Sequence, residues 1–327
     1  MGIEVLIKSE LTRREAFLNA KGSLRERDAM SMQGIAMPTL PPMPEGALEI
    51  PGEFITAAVS AKIYRMIGSA YGTRAAQRAL AEQPVTAAGI EEAREYVSSL
   101  MDVDLSTVMV EVVPNSKWGD SGAEGIHFKA GLDQHLIVMP SYVASAIEVL
   151  VHEFGHAAHA IKQRQNGEYP FFFTADSTVE LISHYCQYHY IVERLSRDHL
   201  LIALGQLTTA SYALSIQASG TKDFDHYEAS GAAAEPLRSM SIDMLQSTHA
   251  AFCENQAYYF SEVFRGISLM LALLLLDENE GMRRYASLDR VDRRLQDKLS
   301  DAFAGKDALM SFSKINERIE ELLERCS

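Results

Sequence analysis

His152-Glu153-Phe154-Gly155-His156 places two imidazoles four residues apart with a carboxylate beside the first. On an α-helix, residues i and i+4 lie on one face, one above the other. Two imidazoles so placed can share one Zn²⁺ at ~2.0–2.1 Å each. Glu153 can then hold a water at the same ion. A general base beside an acidified nucleophile is the machinery of metal-assisted hydrolysis. The competing reading is a helix that happens to carry two unrelated histidines.

For this chemistry the segment must be helical. Val143 to Ala160 lacks proline, Pro140-Ser141 offers a start, and Ser145-x-x-Glu148 offers a second capping box. The pattern predicts a helix over 141–164. Gly155 inside it costs about 1 kcal/mol against alanine. Close approach of another backbone, the metal site, or packing alone would account for it. A catalytic zinc takes three protein ligands and keeps one open position. The metzincin continuation is absent, because Ala-Ala-His-Ala-Ile-Lys follows His156. A gluzincin instead takes a Glu from a following helix. Glu180, in Thr178-Val-Glu-Leu-Ile-Ser183, fits that role if the first helix ends near Gly167 and Pro170 and the chain returns through Phe171-Phe-Phe173. The other reading of Glu180 is a capping-box partner of Ser177, and Asp176 or Ser177 is the expected N-cap of its helix.

Val151-His-Glu-Phe-Gly-His-Ala-Ala-His159, followed by Val179-Glu-Leu-Ile-Ser183, resembles the thimet oligopeptidase family of zinc peptidases. That family has HEFGH, a His three residues later, and a ligand Glu in a VExxS-like stretch at similar spacing. The resemblance implies that His152, His156 and Glu180 hold one Zn²⁺ and that Glu153 is the base. Tyr258-Tyr-Phe-Ser-Glu-Val-Phe264 is similar to the family's C-terminal segment, where a tyrosine three residues before SEVF points at the bound substrate. This marks Tyr258 as an oxyanion donor. Tyr259 takes its place if the register slips, and a pair of core aromatics is the alternative. The family also has a His and a glycine-rich loop just upstream. His249 matches the His, whereas Ala250-Ala-Phe-Cys-Glu254 lacks the glycine pair and a further tyrosine. The likeness spans roughly residues 120–265 and is sharp at two short motifs. Family members are usually longer, with a helical N-terminal half roofing a deep channel, so a more open cleft is implied here.

Other histidines carry less. His159 reads as helix packing or as a hydrogen-bonding support. His184 falls four residues after Glu180, on the same helix face, either supporting the metal ligands or lying at the surface. His127 and His135 sit on expected strands and read as structural.

The elements around these residues follow from period. Residues 1–37 look weakly helical and charged, and the proline-rich stretch 38–51 reads as an extended connector. Residues 53–82 and 86–101 read as helices. Thr107–Val113, Gly125–Lys129 and His135–Met139 read as a small sheet of about three strands, the last two joined by an Ala-Gly-Leu-Asp turn. Beyond Pro140 the chain is expected to be helical near 141–164, 177–216, 234–276 and 284–325, punctuated at Gly167 with Pro170, Gly220 and Gly281. Residues 288–325 read as a solvated amphipathic hairpin. The fold expected is mainly α, a zincin-like core with a small sheet. An N-terminal segment, 1–52, packs on a single catalytic domain, 53–327.

Composition narrows the function classes. The 327 residues are 47% hydrophobic and 23% charged, ordinary for a folded chain. Lys and Arg number 30 against 44 Asp and Glu, a net charge of −14, which argues against binding a phosphate backbone. The most apolar run, Ile267 to Leu276, is too short to span a bilayer and reads as a core helix. Three scattered cysteines form no disulfide framework, and neither a secretory signal nor a myristoylation motif is read at the N-terminus. The expectation is a cytoplasmic zinc metallopeptidase acting on a peptide or protein substrate, without nucleic acid or membrane span. Export without a cleavable signal stays open, and no pattern points to an oligomeric state. The alternative is a non-catalytic helical binding protein that keeps a structural zinc site. The intact Glu153 favours hydrolysis, since a structural site needs no base. A hydrolase of non-peptide amides is the remaining possibility.

Overall fold

The computed structural model describes residues 3–34, 59–73, 77, 80–118, 124–128, 134–166, 179–230, 242–290, 293–304 and 310–326. In chain order these form α1 (Ile3–Asn19), α2 (Leu24–Ser31), α3 (Ala61–Tyr71), β1 (Glu82–Pro84), α4 (Ala87–Met101), β2 (Met109–Val113), α5 (Asn115–Trp118), β3 (Ile126–Phe128), β4 (Leu136–Pro140), β5 (Tyr142–Ala144), α6 (Ala146–Gln165), α7 (Val179–Arg194), α8 (Arg197–Ala203), α9 (Leu207–Ser219), α10 (Phe224–Ala229), α11 (Ile242–Glu254), α12 (Gln256–Leu274), α13 (Asn279–Leu288), α14 (Leu295–Ala302) and α15 (Ile315–Arg325). The fold is mainly helical, with small sheets of two and three strands. Two compact units are distinguished. One comprises Met1–Glu45, Ala79–Phe173 and Glu278–Arg294, and the other Gly46–Arg78, Thr174–Asp277 and Leu295–Ser327.

In the first unit the three-stranded sheet has the order β2-β4-β3, with β2 parallel and β3 antiparallel to β4. Leu136, Ile137, Val138 and Met139 of the central strand are all fully buried. A strand covered on both faces reads as a continuous apolar run rather than an alternation. Leu136 and Val138 join Phe17, Leu24, Val113, Trp118 and Phe128 in one apolar cluster, which seats the α1–α2 hairpin. Arg27 fastens that hairpin. Its guanidinium lies 4.2 Å from the Phe17 ring centre and donates to both carboxylate oxygens of Glu111, at 2.9 and 3.0 Å. By the alternation of the pleat, Ile137 and Met139 face the opposite side.

Helix α6 is buried along most of its 20 residues. Helix α4 packs against it, entered through the Thr86 side chain, which accepts from the Gly89 amide at 3.1 Å. Arg94 of α4 lies over the Phe154 ring at 5.2 Å and donates to the carbonyls of Leu105 and Val108 at 2.7 and 2.8 Å. Helix α13 packs on α6 through Gln163, whose side-chain amide donates to the Asp289 carbonyl at 2.7 Å.

The second unit is a helical bundle centred on α12, which packs against α7 and α9. Val263, Phe264, Ile267 and every residue from Ser268 to Leu273 are buried, so the apolar run is a core helix. No helix among the described residues is long and apolar enough to cross a membrane. Cys186, Cys253 and Cys326 are all free.

Several expected boundaries are corrected. The helix expected from 141 begins at Ala146, because Tyr142–Ala144 pairs with Glu82–Pro84 as a two-stranded antiparallel sheet. Those latter residues also end the helix expected over 53–82, whose described helical core is Ala61–Tyr71. Ser145 provides no capping box. It adopts φ +50°, ψ 46°, and its side chain makes no cap hydrogen bond. The stretch 177–216 is not one helix. It breaks before Arg197 and tightens into a 3₁₀ turn at Leu204–Gln206. There the Tyr71 hydroxyl, which donates to the Ile202 carbonyl, occupies the place a Cβ on Gly205 would take. Similarly, 234–276 divides at Asn255, and Gly281 lies inside α13 rather than breaking it. The connector at 38–51 lies outside the described residues.

Candidate metal centre

His152, Glu153 and His156 lie on α6, as the motif requires. The two imidazoles meet edge to face, with ring centres 4.8 Å apart and planes at 84°. His152 is half-buried, whereas Glu153 and His156 are buried. Glu180 stands in the first turn of α7, and its carboxylate accepts from the Ser183 hydroxyl at 3.2 Å. His152, His156 and Glu180 each offer one ligand atom, all within 4.8 Å of one another, so the three could hold a metal ion. The expected N-cap residues Asp176 and Ser177 lie outside the described residues.

Two observations test whether a cation fits these groups. The donor set, two imidazoles and a carboxylate, suits a first-row divalent ion. The second concerns Gly125, immediately before β3. A Cβ there would meet Glu153 Cγ and Met139 Sδ at 2.9 Å and Glu153 Oε1 at 3.0 Å. A side chain there would force Glu153 or Met139 to shift, so glycine leaves room for Glu153 as it is placed.

Sequence reasoning left His127 and His135 as strand histidines. His127 Nε2 lies 3.0 Å from His135 Nδ1, a hydrogen bond that takes one donor and one acceptor nitrogen. The His127 ring is also parallel to that of His156, within 3°, at 6.3 Å between centres. The signal that could have found this is the i, i+2 spacing of Gly125 and His127, which puts them on one face of a strand. His159 is fully buried, with Nε2 3.1 Å from Asp289 Oδ2, so it serves packing and a carboxylate contact within the first unit. Asp289 had no local signal, being far along the chain.

In the second unit, His184 is buried and its ring lies 6.1 Å from that of Tyr188, which corrects the surface alternative. Tyr258 is on α12, and its side chain lies outside the described residues. Tyr259 is buried edge-on to Phe252 at 6.0 Å, and burial pushes its phenol up to about 12. His249 is buried among Phe224 and Tyr227, and burial lowers its basicity despite the charge of Asp223. Glu262 was not singled out from the sequence. Burial raises its carboxyl, Arg265 at 3.1 Å opposes this, and the charge of Glu180 raises it further.

No protein-family model and no curated protein matches the chain. Among solved structures it is similar to a "putative peptidase" from Chlamydophila abortus, at 14% identity and a TM-score of 0.49, over 85% of this chain and 56% of that one. The chain thus spans little more than half of that protein's length.

Proposed function

We propose that the protein is a zinc-dependent metallopeptidase of the gluzincin type, resembling the thimet oligopeptidases, that hydrolyses peptide bonds in a peptide or protein. The observation that carries this reading is the convergence of the His152, His156 and Glu180 ligand atoms, with Glu153 on the same helix. Those three residues would hold the ion. A bound Zn²⁺ supplies an acidified water and polarises the scissile carbonyl. Glu153 takes the proton of the attacking water on its carboxylate and delivers it to the leaving amine nitrogen. The Tyr258 phenol donates to the developing oxyanion, with His249 as a further contact implied by the resemblance. β3 is an end strand of its sheet and pairs only with β4 among the described residues, so its other edge is the candidate for main-chain pairing with substrate.

The test is mass-spectrometric profiling of a diverse peptide mixture with the zinc-loaded protein and its Glu153→Gln variant. Cleavage by the wild type alone supports the reading and reveals the residues flanking the cut. Equal cleavage by both removes Glu153 as base. No cleavage by either, with zinc bound, favours the non-catalytic binding protein.

A further inference from the structure

A ligating imidazole must hold its ring plane along the metal–nitrogen direction, so whatever fixes that plane tunes the metal. His156 is buried, with His152 edge-on at 4.8 Å and His127 parallel at 6.3 Å. His127 is itself anchored. Its Nε2 is hydrogen-bonded to His135 Nδ1 at 3.0 Å, and the two rings lie 18° from parallel with centres 5.1 Å apart. That centre distance, with a 3.0 Å contact between ring nitrogens, describes two rings meeting edge to edge in nearly one plane. His135 is fully buried at the foot of β4, and its carbonyl accepts from the Met109 amide of β2 at 2.9 Å. The sheet therefore holds His135, His135 holds His127, and the ring of His127 runs parallel to that of His156. The strand does the aiming. β3 carries His127, which lies beside His156, and Gly125 just before the strand leaves room for Glu153.

We propose that His127 is a positioning residue of the metal centre, held by His135 and setting the ring plane of His156. The residues whose ligand atoms converge are His152, His156 and Glu180, and His127 stands outside that group. The inference rests on the metal-centre reading, so its test must separate the two.

Co²⁺ titration of the apo-protein, followed by absorption in the visible range and by competition with a chelator, does so without any turnover assay. Wild type should bind one Co²⁺ with a tetrahedral-type spectrum. His127→Ala should bind ~10–100-fold more weakly, the range typical of lost ligand support, with altered visible bands and an unchanged circular dichroism spectrum. His135→Ala should move the same bands the same way, and the double variant should add little, because the two act in series. Should the alanine variant fail to fold, His127→Phe keeps a flat ring but cannot bond His135, and its affinity should fall between the two. Wild-type affinity and bands in folded His127→Ala or His127→Phe would overturn the positioning role and leave the metal centre standing. Failure of wild type itself to take up Co²⁺ would overturn both.

Discussion

Helices α6 and α12 are each buried along most of their described length, yet they bury opposite chemistry. Glu148, Glu153, His156, His159, Gln163 and Arg164 of α6 are all buried, whereas the described buried side chains of α12 are apolar or aromatic except Glu262 and Ser268. Burying a polar group without a hydrogen bond costs a few kcal/mol, and an unpaired charge costs more. The α6 groups are therefore met by partners from distant parts of the chain. Glu10 lies 3.2 Å from Arg164, and Asp289 serves both His159 and Gln163. On α12 the buried polar groups are few, Glu262 being met by Arg265 of the same helix, and its burial rests mainly on the hydrophobic effect. Burial of α6 thus depends on polar partners brought from far along the chain, whereas burial of α12 depends on apolar packing.

The sharpest test of that contrast lies in Glu153. Glu153→Gln should lower peptide turnover ~10²–10⁴-fold, the usual weight of a general acid–base group. Metal affinity and thermal midpoint should stay at wild-type values, since the two side chains are nearly isosteric. A large loss of stability with residual activity would make Glu153 a structural residue and erase the distinction between the helices.

Next in size is the Glu10–Arg164 pair, whose side chains are 4% and 0% exposed. Glu10→Ala should cost ~3–5 kcal/mol in urea denaturation, because it takes a carboxylate from a buried guanidinium. Replacing both, as Glu10→Leu with Arg164→Met, should recover much of that loss. A cost under ~1 kcal/mol would show that Arg164 is not held by Glu10 and that the buried charge of α6 is met by other groups. For α12 the matching experiment is Leu271→Ala, at a fully buried position. It should cost ~2–5 kcal/mol by transfer and cavity formation. Co²⁺ affinity should not change, and a weakened centre would show that α12 is more than core.

The two helices were also unequally legible in sequence. Apolar density alone marked α12, and the HExxH spacing marked the paired histidines of α6. The three-stranded sheet could be read because β-branched residues changed the period at Thr107. The β1–β5 pair could not, since Glu82-Gln-Pro84 carries no strand signal and Tyr142–Ala144 continues into a helix. Ser145 looked like a cap by residue type, but it sits at φ +50° between β5 and α6 and its side chain makes no cap hydrogen bond. His127 read as structural because its partners are set by strand pairing and by helix placement, neither of which is local. Glu10 and Asp289 are further cases, each meeting α6 across more than a hundred residues.

The smallest effect concerns charge left at the surface. Asp277, just beyond α12, accepts from Arg318 at 2.6 Å and from Arg325 at 2.8 Å, with its side chain 51% exposed. Partial burial works to raise its carboxyl, but the two guanidinium groups outweigh this and hold it below the ordinary aspartate range. A group whose folded pKa is depressed stabilises the fold above its unfolded value, ~3.9. That contribution disappears as pH falls through the lower folded value. Exposure to solvent limits it to well under the weight of the buried Glu10 pair. Asp277→Asn should therefore lower the thermal midpoint by only about 1–2 °C at pH 7. The gap between wild type and variant should narrow as pH falls below ~4, and 1 M salt should narrow it at neutral pH. Glu10→Ala should keep most of its cost in the same salt, because a buried pair is screened far less. A salt-insensitive Asp277 effect as large as that of Glu10 would mean that the two polar networks do not differ in kind.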